Sequence, residues 1–155
     1  MPRIQPGMRL KRPSRPRGFR VADSAQQLVG GFLLAGPFVV TEEVWVLADN
    51  MSVFHALATV GVVFAIGYAT LYKADTKRDP DDEQNVGGIP LRFISLMLVS
   101  FGSVTILAVL FDAPDTFLGG TETNGAIAVT TFKAVSVGAI FSVVGAATAD
   151  SVFSR

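Results

Sequence analysis

Residues 28 to 48 read LVGGFLLAGPFVVTEEVWVLA, an apolar run with a Gly36-Pro37 pair in its middle and adjacent carboxylates, Glu42 and Glu43, near its end. A bilayer core is crossed by a helix of about 20 mostly apolar residues, which this run supplies. Pro37 cannot donate to the carbonyl of Leu33 and its ring crowds that turn, so the run predicts a helix kinked or opened at Gly36 and Pro37. Broken membrane helices are where transporters build ion sites, and a proline that merely shapes packing is the plainer alternative.

Three further apolar runs follow at similar length. The sequence predicts helices over about 24–48, 52–72, 91–111 and 126–152, hence an all-α polytopic membrane protein, a bundle of four transmembrane helices. Half of the 155 residues are hydrophobic and mean hydropathy is +0.46, while the 17% that are charged cluster between the runs. That segregation is the membrane pattern, and the runs lack the alternation of barrel strands. One domain, 23–155, holds all four helices, preceded by a basic N-terminal segment, 1–22, predicted to be disordered. A cleaved leader is not expected, because the first run is too long for one and carries two glutamates.

Lysine and arginine set the orientation. Arg3, Arg9, Lys11, Arg12, Arg15, Arg17 and Arg20 precede the first run; Lys73, Lys77, Arg78 and Arg92 lie in or beside the central connection; Arg155 ends the chain. The two other connections carry only acidic charge, so both termini and the central loop are expected in the cytoplasm and the protein in the cell membrane. Trp45, Tyr68 and Tyr72 are placed to act as interfacial anchors. The central segment 73–90 is rich in aspartate and bounded by Gly87-Gly88 and Pro90, which predicts a flexible solvated loop and suits a salt-loving archaeal protein. Its spacing does not match a calcium loop.

Ionised groups inside hydrocarbon-length runs are costly and are read first as functional. On straight helices Glu42 lies about 9 Å and Lys133 about 11 Å from the same face, so the two can meet. His55, near the start of the second run, brings a group titrating near neutral pH to that level. Glu42, Glu43, His55 and Lys133 thus form the predicted ion or proton site; the alternative is a Glu–Lys clamp that only fixes helix packing. Asp150 falls level with Asp23 and Arg20, where a boundary ion pair accounts for it. Ser95, Gly102 and Ser103 on the third run, Gly61, Ala65 and Ala69 on the second, and Gly138, Gly145 and Ala149 on the fourth form small faces suited to close helix packing.

With no cysteine and one histidine, thiolate chemistry, disulfides and a metal centre are not expected; neither are a cofactor, an enzyme activity or a nucleic-acid partner. The Gly-Pro helix ending in Thr41-Glu42-Glu43-Val44-Trp45, the Lys73-Ala74-Asp75 loop and the closing Ala146-Ala147-Thr148-Ala149-Asp150-Ser151-Val152 resemble a family of uncharacterised prokaryotic integral membrane proteins, seen in haloarchaea and some bacteria. The resemblance implies a membrane protein and carries no activity or site residue. Two readings remain: an oligomeric channel or transporter for protons or monovalent cations, or a non-transporting structural or regulatory subunit docked to copies of itself or to a partner membrane protein.

Overall fold

The computed structural model describes residues 19–73, 79–120 and 122–153. Among these residues the regular structure is helical apart from one hairpin of two-residue strands: α1 Val21–Val39, α2 Glu42–Asn50, α3 Val53–Tyr68, a π turn Ala69–Lys73, a 3-10 turn Pro80–Asp82, β1 Asn85–Val86 antiparallel to β2 Ile89–Pro90, then α4 Leu91–Leu110, α5 Ala113–Leu118 and α6 Asn124–Phe153. Among the described residues three helical stretches are long and apolar enough to cross a membrane: Val53–Lys73, Leu91–Leu110 and Asn124–Phe153. A fourth is available if the bent pair α1 and α2 counts as one span.

The bent pair departs most from the sequence reading. The stretch expected as one helix over 24–48 is two, turned by 80° at Val40 and Thr41, a few residues beyond the predicted kink; Gly36 and Pro37 stay inside α1. At that angle the nine residues of α2 advance only about 2 Å along the axis of α1, so α2 lies across the end of the bundle. Thr41 makes the corner, its N–H and Oγ both donating to the carbonyl of Phe38 at 3.1 and 2.8 Å. The freed carbonyl of Val39 accepts from the indole N–H of Trp45 at 2.9 Å. Trp45 is 2% exposed and stacks on Phe117 of α5, so it seals the break from inside and is not an interfacial anchor.

α6 is the axis of the bundle, packing against α1, α2, α3 and α4. At thirty residues it spans about 45 Å, overhanging the roughly 30 Å hydrocarbon core. Its crossing with α1 is set by glycines: a Cβ on Gly30 would collide with the carbonyl oxygen of Gly145, and one on Gly145 with that of Gly30. Gly138 sits against Val104 and Val39, and Gly31 against the hydroxyls of Ser142 and Ser103. The fourth run's small residues therefore face inward as expected. Those of the second do not: Gly61, Ala65 and Ala69 point outward, while Ala56, Val63 and Gly67 pack. The π turn then brings Leu71 and Tyr72 back into the core.

Val21 and Ala22, assigned to the disordered segment, open α1; the remainder of that segment up to Gly18 lies outside the described residues, as do 74–78 of the central loop. From Asp79 onward the loop holds the 3-10 turn and the hairpin, which turns on Gly87 and Gly88 at positive φ of 61° and 86°. The backbone N–H of Leu91 donates to Gln84 at 2.8 Å and ties the hairpin to the start of α4. The end where α1 begins is called the near end below; the end bearing α2 and α5 is the far end.

Candidate functional site

At the near end a single buried arginine collects charges from three parts of the chain. Arg92, the second residue of α4, donates from Nη1 to Oδ1 of Asp150 on α6 at 2.6 Å, lies 3.5 Å from Asp23 on α1, and sets Nε 3.4 Å from Glu83 in the loop. Asp150 is fully buried, Asp23 is 2% and Arg92 8% exposed. A guanidinium suits this place because its planar fork offers five donors in fixed directions, enough for several carboxylates at once. Phe19 lies over its face with 5.5 Å between the guanidinium carbon and the ring centre.

Each acid is held independently. Asp23 stands in the first turn of α1, where free N–H groups favour a carboxylate, and it accepts from the backbone N–H of Arg20 at 2.9 Å. Glu83 accepts from the hydroxyl of Tyr72 at 2.6 Å. Tyr72 is thereby a hydrogen-bonding member of the buried site, not an anchor in a headgroup layer. Asp150 pairs with Arg92 and not with Arg20: the level read from the sequence is right and the arginine is different. The sequence marks Arg92, at the start of the third apolar run, as a determinant of orientation; its role as the centre of this network shows only in the packed bundle.

A polar seam leads from this hub into the interior along α1, α4 and α6. Ser95 donates to Oε1 of Gln27 at 2.7 Å and takes a hydrogen from Ser24 at 2.8 Å; Gln27 is fully buried and its Nε2 has no partner among the described residues. Further in, Ser103 and Ser142 share a hydrogen bond of 2.7 Å under Gly31. Beyond them a cleft of about 170 Å3 lined by Val39, Trp45, Val104 and Ala134 has no room for a water molecule.

The residues expected to form an ion site lie at the far end, and the structure does not gather them inside. Glu42 and Glu43 are exposed in the first turn of α2, where the orphan N–H groups of a helix start attract negative charge. Lys133 is half-buried on α6, next to Ala134, which shares a buried cluster with Val44 and Trp45, so it stands near α2. No ion pair joins either glutamate to Lys133 among the described residues, because the turn of α2 carries the carboxylates to the rim. His55 is an exposed capping residue of α3: its Nδ1 lies 2.7 Å from the Ser52 hydroxyl, which also accepts from its backbone N–H at 3.2 Å. Among the described residues no cluster of His, Asp or Glu has the arrangement to hold a metal ion.

The family model described as "Putative integral membrane protein (DUF2391)" matches residues 11–150, nearly the whole chain. The chain belongs to that family. No curated protein and no solved structure shows significant similarity to it. Membership and the apolar helices together place this DUF2391 protein in a lipid bilayer.

Proposed function

We propose that this DUF2391 protein is a structural or regulatory membrane subunit that acts by contact and does not conduct, with both termini and the Arg92 hub on the cytoplasmic side of the cell membrane. The observation that carries this reading is how the chain disposes of its interior charge. Arg92 ties Asp23, Glu83 and Asp150 together at the near end, and further along the crossing backbones of α1 and α6 touch at Gly30 and Gly145, which supports a closed seam between these two helices. The hub latches the start of α1, the central loop and the end of α6 to α4, so the near end presents one rigid face. The outward stripe of Gly61, Ala65 and Ala69 suits close approach of another helix. The orientation rests on the lysine and arginine bias of the near-end connections.

The test is proton and monovalent-cation flux in proteoliposomes. The subunit reading expects flux no higher than in protein-free vesicles. A second reading, an oligomeric channel or transporter, is favoured by one observation: Glu42, Glu43 and Asn50 line an open hollow with Val46 and Leu47, with about 450 Å3 of room for solvent. Flux lost in folded Glu42→Gln or Glu43→Gln protein would establish that second reading.

A further inference from the structure

Glu42, Glu43 and Lys133 stand at one level of the far end. α1 and α6 run antiparallel with Gly30 against Gly145 and Val39 against Gly138, and one turn further along α6 Ala134 and Val135 pack with Val44 and Trp45. Lys133 is therefore level with α2, yet among the described residues it forms no ion pair, and neither do Glu42 and Glu43. The inner face of α2, Val44, Trp45 and Ala48, is taken up by the bundle. Its outer face joins both carboxylates to Val46 and Leu47, 51% and 53% exposed, around a hollow lined by α2 alone. Lys133 has a matching setting, flanked by Phe132 and Val129 at 41% and 43% exposure.

We propose that the outer face of α2 docks on the first turns of α6 in a second copy of this chain, with Glu42 and Glu43 pairing with Lys133 of that copy. Copies related by an axis along the membrane normal meet only at equal depth, and these two charge sets satisfy that condition within one sequence. An unpaired ion on an apolar surface at a bilayer's edge is costly, and pairing between copies removes both the lysine and the carboxylate cost at once. The two surfaces differ, so the contact is head-to-tail and closes as a ring when the rotation allows. This inference rests on the subunit reading and names its partner as the chain itself.

The chain has no cysteine, which makes the test direct. Glu43→Cys in a copy with one tag and Lys133→Cys in a copy with another are co-expressed and oxidised in the membrane. Glu42→Cys serves where Glu43→Cys does not fold by circular dichroism. A cross-linked dimer carrying both tags is expected, lost when the second cysteine is moved to Val29, an exposed near-end position. In parallel, Glu42→Lys with Glu43→Lys should dissociate the oligomer in native mass spectrometry, and Lys133→Glu added to the same chain should restore it. Folded variants that give no mixed-tag dimer, or a reversal that restores nothing, overturn the pairing. A protein that is monomeric and silent in the flux assay overturns the pairing alone; flux overturns the subunit reading itself.

Discussion

Arg92 is the residue on which most of the interior electrostatics turns. Breaking a buried ion pair by removing one partner leaves charge uncompensated and costs about 3–5 kcal/mol, whereas a partly exposed partner costs less. Arg92→Met should therefore lower the melting temperature in detergent most, Asp150→Asn next, and Glu83→Gln least, since the Glu83 side chain keeps 18% of its surface exposed against none for Asp150. Scanning fluorimetry on the three variants checks the order; equal shifts would mean that the hub is not held by Arg92. Glycine is the second residue-scale determinant. Gly30→Ala should destabilise by about 1–3 kcal/mol, because the obstacle is the backbone of α6 and cannot rotate away. Gly61→Ala meets nothing within 4 Å and should stabilise α3 by up to about 1 kcal/mol, as alanine is the better helix former. Denaturant or thermal melts of the pair separate close packing from simple propensity.

At the scale of elements the break between α1 and α2 decides where charge can go. Proline explains why the helix weakens but not where it turns: α1 continues for two residues past Pro37, and the corner forms where Thr41 and Trp45 can satisfy the carbonyls that it frees. Trp45→Phe keeps a ring against Phe117 and deletes the donor to Val39. The orphaned buried carbonyl should cost about 1–3 kcal/mol, read as a lower midpoint of helix loss by circular dichroism. An unchanged midpoint would show that the corner is held by packing alone. α5 has a similar local device. Asp112 adopts φ of 53°, a left-handed conformation that aspartate tolerates and β-branched residues do not. Asp112→Val should cost about 1–2 kcal/mol and Asp112→Gly should be neutral or better in the same melts.

For the whole molecule, the proposed orientation makes opposite claims about two exposed loops. A single cysteine at Asp115 in α5 should react with a membrane-impermeant maleimide on intact cells, and one at Asp81 in the central loop only after permeabilisation; the reverse pattern would invert the topology. Burial on the two sides of each helix differs in the way a bilayer permits. Val29, Leu33, Phe54, Leu57, Leu98 and Val109 are all more than half exposed, surface that a bilayer covers, while the inside is sealed by small residues and hydroxyls. Stability of the assembled protein should therefore depend on tight helix crossings more than on the size of apolar side chains.

The sequence by itself determined the membrane class, the helical architecture and the small inward face of α6. These depend on run length, composition and period, which are local and need no partner to be read. It also placed Asp150 level with Asp23, because depth along a helix is simple arithmetic in residues, whereas the same arithmetic for Glu42 assumed a straight helix that the chain does not form. Only the tertiary structure decided which charges meet. An 80° corner at Thr41 moves two carboxylates to the rim, and the direction of a side chain around its helix, unlike its depth, depends on which neighbours pack and where. For the same reason Arg92, the center of the buried network, and Trp45, the seal of the broken helix, became visible only once α1, α4 and α6 were assembled.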